Sequence, residues 1–429
     1  MKKRKNRFKK YFVIVSAVFL LGLIFAYSSR LIHYYRLENT KTSDEGTVTY
    51  FTDMLETTIN LSDANGGLYI AGKEFSYRNA VSDNYLWYSG NMWRILKINE
   101  DKTIDIVMEE ALSMLYPKYE ENDYLTNYLG TFYEQLDDDL LVPLTYCNDE
   151  ITDVKNLTCE NELTSDIAIL DIKTYNDAGG MKSFLNNSQS FWLINQNESG
   201  NYWSVNAEGA LTVSNLALDI RPVVRLNSEL ILEVGKGSKD DPYILKQETK
   251  SQIKDVSVGE YVKYNESLFR IVNKSDNSIS IKALECIKEN EECLTLTFGK
   301  TNDFTKSSLF KYLNETYYKT LANQEFLVKD NFYIGNYANY DYQNLLSAEI
   351  ESYIGISKIG DYYLTNDLNS FLLTANGSEM IYTINNVGNY YLNLPTISAT
   401  VFPILNLDLS LKIESGLGTM SDPYLLSRW

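Results

Sequence analysis

The sequence predicts an α+β fold, an amino-terminal transmembrane helix followed by two tandem homologous α+β modules. Three observations carry this. A basic stretch precedes a long uncharged one at the amino end. A set of phrases recurs in the same order at nearly one offset. Within each copy, runs with strand periodicity flank a run with helical periodicity.

The amino end reads "MKKRKNRFKK", with seven basic side chains, and then "YFVIVSAVFLLGLIFAYSS" from Tyr11 to Ser29. Nineteen helical residues at about 1.5 Å each just cross a hydrocarbon core. Lys and Arg before the run place that end in the cytoplasm. The expectation is a single-pass cell-membrane protein with its modules extracellular. A cleaved signal peptide is the alternative, and it exports the same residues.

The repeat shows first in two closing phrases, "GKGSKDDPYIL" ending at Leu245 and "GLGTMSDPYLL" ending at Leu426, 181 residues apart. "YLWYSGNMWRIL" from Tyr85 matches "YVKYNESLFRIV" from Tyr261, "SDIAIL" from Ser165 matches "SYIGIS" from Ser352, and "IRPVVRLN" from Ile220 matches "VFPILNLD" from Val401. In the closing phrase, Gly235 and Gly416 permit positive φ, Asp241 and Asp422 suit an Asx-turn, and Pro242 and Pro423 lead into a short apolar strand. Calcium binding by Asp240 and Asp241 is a weaker alternative, because only Asp422 stands at that place in the second copy.

The elements follow in order. "NYLWY", a turn at Ser89-Gly90, and "MWRILKI" read as a hairpin, with "TIDIVM" as the next strand. Leu125, Leu129, Phe132 and Leu136 recur at helical spacing, as do Leu309, Leu313, Tyr317 and Leu321. "SFWL", a hairpin turning at Glu208-Gly209, "RPVVRL" and the closing strand complete the module. The expected organisation is a basic tail at 1–10, the span at 11–29, a stalk at 30–66, the first module at 67–246, a linker at 247–255 and a second, degenerate module at 256–429.

Four cysteines fall in two close pairs, one per half. An even count in local pairs suggests two short disulfides, Cys147–Cys159 and Cys286–Cys293, with four free thiols as the alternative. The net charge of −18 makes nucleic acid an unsuitable partner.

The string "YL…WRIL…INEDKTI", then "YL…FY", "FWL", "RPVVRLN" and "GKGSKDDPYIL" resembles a family of exported bacterial domains of unknown function from Gram-positive surface proteins. In general pattern it also resembles C-type-lectin-like and formylglycine-generating-enzyme-like domains. That resemblance implies a fold whose first and last strands pair. It transfers no reaction. The second copy departs from the pattern: Trp93 is matched by Phe269, Trp192 by Leu372, Arg221 by Phe402 and Cys147 by Tyr333.

The chain has one histidine, His33, so neither a Ser-His-Asp triad nor a multi-histidine zinc site can form in the modules. No catalytic residue, metal ligand or cofactor is assigned. Candidate ligand-binding residues are Trp192, Trp203 and Tyr202, as a stacking platform, with Arg221 and Arg94. The structural alternative makes Trp192 and Trp203 core and uses Arg94 to pin its hairpin. The functional expectation is a membrane-anchored extracellular binding or cell-envelope interaction protein, its partner a glycan or a protein. Alternatives are a carboxylate-based hydrolase and an accessory subunit of a surface assembly.

Overall fold

In the computed structural model, residues 49–428 are described, apart from 61–65, 113–121, 155–156, 214–217, 248, 335–347, 360, 364–367, 378 and 387–389. The chain is β-rich. Strands dominate both halves, and the longest helix among the described residues is Asn122–Tyr133, of 12 residues. This corrects the α+β expectation. Many segments that lack clear alternation are short strands. Leu144–Cys147 and Glu162–Ser165, for example, form an antiparallel pair whose outer strand buries nothing.

The span expected at Tyr11–Ser29, the basic tail and most of the stalk lie outside the described residues. Among the described residues no helix is long and apolar enough to cross a membrane. The single-pass, amino-end-in localisation is therefore corrected: the structure does not support it. Both disulfides are present, Cys147–Cys159 and Cys286–Cys293, each with Cα atoms 5.6 Å apart, and no cysteine is free.

Each half builds one sheet on the same plan. In the first, the strand order is Leu232–Val234, Tyr243–Leu245, Tyr85–Tyr88, Asn91–Ile98, Ile104–Met108 and Pro222–Leu226. In the second it is Lys412–Ser415, Tyr424–Ser427, Tyr261–Tyr264, Ser267–Lys274, Ser278–Ala283 and Ile404–Asp408. A two-residue strand, Ala168–Ile169 or Ile354–Gly355, then flanks the last of these. The closing strand lies parallel to the opening one in both, pairing Tyr243 with Leu86 and Tyr424 with Val262. Register shifts also recur, between Ile95 and Lys97 and between Ile271 and Asn273. A bulge at one place in both sheets marks a shared backbone, because bulges are retained features rather than accidents.

Local chemistry explains these elements. The hairpin turns Ser89-Gly90 and Asn265-Glu266 put both residues at positive φ, the two-residue geometry that matches strand twist. In the closing phrase Gly235 has φ +100°, and a Cβ there would lie 1.9 Å from the Pro242 carbonyl oxygen. Gly416 repeats this at φ +102° and 2.2 Å. The N–H of Asp241 donates to the Ser238 hydroxyl (3.1 Å) and that of Asp422 to Thr419 (3.0 Å), so a hydroxyl three residues upstream braces the turn.

Two cores result. The first gathers Trp93, Ile95, Ile106, Val224, Phe132 and Phe191, and the second Phe269, Ile271, Ile281, Leu405, Phe298 and Phe304. Two segments assigned outside the modules join them. Phe51 and Leu55 of the helix Phe51–Glu56, within the expected stalk, are buried in the first core. Ile253, within the expected linker, is buried in the second.

Residues 50–429 form one compact unit. The repeats meet at the first hairpin turn. A Cβ on Gly90 would come within 2.4 Å of the Glu260 nitrogen, so only glycine lets the backbones approach. Tyr363 donates to Asn91 Oδ1 (2.8 Å), and Arg270 donates to the Gly90 carbonyl (3.2 Å). Tyr362 from the second repeat packs edge-on against Phe132 of the first, 5.5 Å between centroids.

Candidate functional site: a groove that recurs in both repeats

The residues singled out from sequence are mostly internal. Trp192 is buried at 3% exposure and meets half-buried Tyr202 edge to face. Trp203 is partly buried and donates from Nε1 to the Ile151 carbonyl (3.1 Å). The three rings form no open stacking platform.

Arg94 and Arg221 are both buried and share one carboxylate, Glu109 Oε2, at 3.5 Å from each. Arg94 also donates to Asn84 Oδ1 and the Val81 carbonyl and stacks on Tyr85. Arg221 donates to the carbonyls of Met108 and Leu185. Burial pushes the Arg221 guanidinium down to about 10, against the pull of Glu109. A buried cluster with its donors occupied by protein acceptors serves to hold the core.

The second repeat uses the same arginine position differently. Arg270 lies between Tyr261 and Tyr363, 3.5 Å from the latter's centroid, and reaches across to the first repeat. Beside it on the next strand, Lys282 occupies the place of Val107 and donates to the Tyr363 carbonyl (2.7 Å). Burial pushes its amine down to about 7.

The concave features lie elsewhere. A groove of about 640 Å³ opens on the first repeat, lined among others by Leu96, Lys97, Thr145, Tyr146, Asp171 and Thr174. A second, of about 530 Å³, is lined by Val272, Asn273, Asn331, Phe332, Lys358 and Asp361. Strand registers make the first four the same places, and equal spacing from Ser165 and Ser352 matches the last two. Lys97 pairs with Asp105 as Asn273 pairs with Ser280, Arg225 with Asp105 as Asn406 with Ser280, and Leu144 with Ser165 as Asp330 with Ser352.

The linings differ in charge. In the first groove Arg225 donates to both oxygens of Asp105 (2.5 and 3.1 Å), and Lys97 bridges Glu74 (3.1 Å) and Asp105 (3.7 Å). Asp101, Glu162 and Asp177 add carboxylates along the rim. Asp171 caps the helix Ile172–Asp177 by accepting from the Thr174 N–H, and burial holds its carboxyl above the usual range. In the second groove a neutral bond, the Ser280 hydroxyl to Asn406 Oδ1 (2.8 Å), replaces the Asp105–Arg225 pair. The cap is inverted as well: Asp361 accepts from the Lys358 N–H (2.8 Å) and pairs with its amine.

The outer walls also differ. The hairpin Gly67–Ala71 with Glu74–Arg78 borders the first groove. The first repeat's helix borders the second, through Asn127, Tyr128, Thr131 and, just past its end, Gln135. Sequence reasoning missed these residues. A signal was present in the paired exchange of Asp105 and Arg225 for Ser280 and Asn406, since two opposite charges lost together point to contact. Comparison with family models, with curated proteins and with solved structures finds no match.

Proposed function

We propose that the protein is a binding protein that captures its partner in the recurring groove, in a compartment oxidising enough to keep disulfides. The observation that supports this is the recurrence itself. The groove persists at six equivalent places although half of its chemistry has changed. Core packing alone favours filling such a space, because an unfilled concavity forfeits dispersion contacts. Retaining the shape while exchanging the lining is what divergence of ligand preference produces. In the first groove carboxylates outnumber cations, which suits a hydroxylated or amine-bearing ligand.

The test is a binding screen of the full chain against cell-wall glycans and peptidoglycan fragments, repeated with Thr145→Trp, which fills the first groove from its rim. Binding abolished by this variant, with the melting temperature retained, is the expected result. Binding that ignores the filled groove overturns the assignment. So does tight capture of a protein partner that ignores it, which would favour an assembly subunit.

A further inference from the structure

The two sheets share a plan, but one strand position is filled in the first repeat only. There Glu74–Arg78 pairs with the far end of Asn91–Ile98, Phe75 opposite Ile98 and Ser76 opposite Lys97. It lies on the side of Tyr85–Tyr88, since Ile104–Met108 takes the other side. The equivalent residues of the second repeat are Lys274 and Asn273. On one side they pair with Ile279 and Ser280. On the other, Tyr261–Tyr264 covers only Ser267 to Arg270, and among the described residues no strand continues beyond it. The cause lies in the chain. Phe51 and Ile253 open the two repeats alike, their N–H groups donating to the carbonyls of Leu230 and Leu411. The first repeat then reaches Tyr85 through the hairpin of Gly67–Ala71 with Glu74–Arg78, whereas the second runs from Ile253 to Tyr261 with no strand between. Asn273 and Lys274 are exposed, so the bare edge is open to solvent. The register shift before Asn273 does not close it, because the first repeat pairs beyond the same shift.

We propose that this vacant edge is a docking site for a short extended peptide that adds as an antiparallel strand, with a basic residue on its amino side and an apolar one on its carboxyl side. A bare strand end offers main-chain donors and acceptors to an extended chain, and pockets beside it choose the side chains. Two cavities flank the edge. The second groove meets it at Val272 and Asn273, and a cleft of about 660 Å³ meets it at Asn273 and Lys274. The direction of Glu74–Arg78 in the first repeat puts the amino side of such a strand at the cleft and its carboxyl side at the groove. The cleft lining holds five carboxylates, Asp137, Asp138 and Asp139 among them, against the amines of Lys250 and Lys274. Lys250 is already engaged by Glu260 (3.0 Å) and Asp137 (3.6 Å). A Lys or Arg is therefore attracted there and a carboxylate repelled. The groove offers Val272, Phe332 and Ile404 to an apolar side chain, and its one ion pair, Lys358 with Asp361, is closed on itself.

This inference rests on the reading of the second groove as a binding site, and its test separates the two. The probe is fluorescein-labelled Gly-Lys-Lys-Phe-Ser-Tyr-Asn amide, which keeps the Phe-Ser-Tyr of the first repeat's own strand. It is titrated into the full chain and read by fluorescence polarisation, and saturable binding is expected. N-methylation of its Phe and Ser removes the N–H offered to the edge and is expected to weaken binding about fivefold or more, the worth of one or two main-chain hydrogen bonds. Exchange of both its lysines for glutamate is expected to weaken binding about tenfold at low salt. Thr131 is exposed on the first repeat's helix and lines both cavities, so Thr131→Trp fills the place where they meet. It is expected to abolish binding with the melting temperature retained. Asp138→Lys combined with Asp139→Lys gives an independent loss without filling space, and Thr145→Trp, in the first groove, leaves binding unchanged. The proposal is overturned if the lysine probe shows no saturable binding, or if binding survives Thr131→Trp. It is equally overturned if the N-methylated probe binds as well as its parent, which is the outcome of charge attraction alone. Loss of binding in Thr145→Trp alone would move the peptide to the first groove, refuting this inference while leaving the general reading intact. Glycan binding through the first groove stands or falls separately from all of these results.

Discussion

Lys282 stands at the junction of the repeats, where its equivalent in the first repeat is Val107, and this exchange makes its proton measurable. It is 3% exposed, and its amine donates to the Tyr363 carbonyl. Burial pushes the amine from its ordinary value of 10.5 down to about 7, with Asp361 opposing the shift and Arg270 adding to it. The unfolded chain keeps the ordinary lysine value. Between about pH 7 and 10.5 the unfolded state therefore holds a proton that the folded state lacks, and folding becomes more favourable as pH rises. Below about 7 both states are protonated and the penalty of burying the charge is constant. Each pH unit in that window corresponds to about 1.4 kcal/mol, so the span from about pH 9.5 to 7 is worth about 3 kcal/mol. Urea unfolding of the wild type and of Lys282→Met, compared at each pH, isolates this contribution, because the other titrations cancel in the difference. Methionine keeps the stem and removes the amine. The stability advantage of the variant is expected to widen by about 3 kcal/mol as pH falls through the window, and to level off near pH 7. A difference that stays flat from about pH 6 to 9.5 would refute the reasoning, since it would mean that the amine keeps its charge and its water in the folded protein.

Two further outcomes are expected. Asp105→Ser strands the Arg225 charge in a side-chain environment 13% exposed and should cost about 3 kcal/mol in urea unfolding, whereas Arg225→Asn leaves Asp105 its Lys97 partner and should cost less. The double variant installs the second repeat's own neutral pair and should recover more than half of the summed loss; strict additivity would show that the two side chains are not coupled. Gly90→Ala places a Cβ within 2.4 Å of the Glu260 nitrogen at φ +71° and should cost about 2 kcal/mol or more. Hydrogen exchange should quicken around Val258–Tyr261 while Ile104–Met108 stays protected, whereas equal loss of protection in both segments would contradict a local clash.

Much of the architecture was legible in the sequence because its causes are local. The closing phrases repeat because a positive-φ glycine and a proline must recur wherever that turn does. The hairpin at Ser89-Gly90 and the alternating strands beside it follow from period-two burial, which needs no knowledge of a partner. The fold class was misread where this period fails. Glu162–Ser165 is exposed throughout most of its length and gives no alternation to detect. Trp192 and Arg221 looked the same whether turned inward or outward, because their type fits a ligand platform and a core equally well. Burial alone separates the two, and burial is a property of what packs above a residue.

Unaided, the sequence determined that one unit was written twice, that each copy ends in a short apolar strand, and that the cysteines sit in two local pairs. The tertiary structure alone decided that the closing strand lies parallel to the opening one, that Arg225 meets Asp105 across 120 residues, and that the first repeat's helix walls the second repeat's groove. The physical reason is separation. Turn geometry and periodicity are encoded within a few residues, whereas a groove is a space between side chains that become neighbours only when distant strands pair.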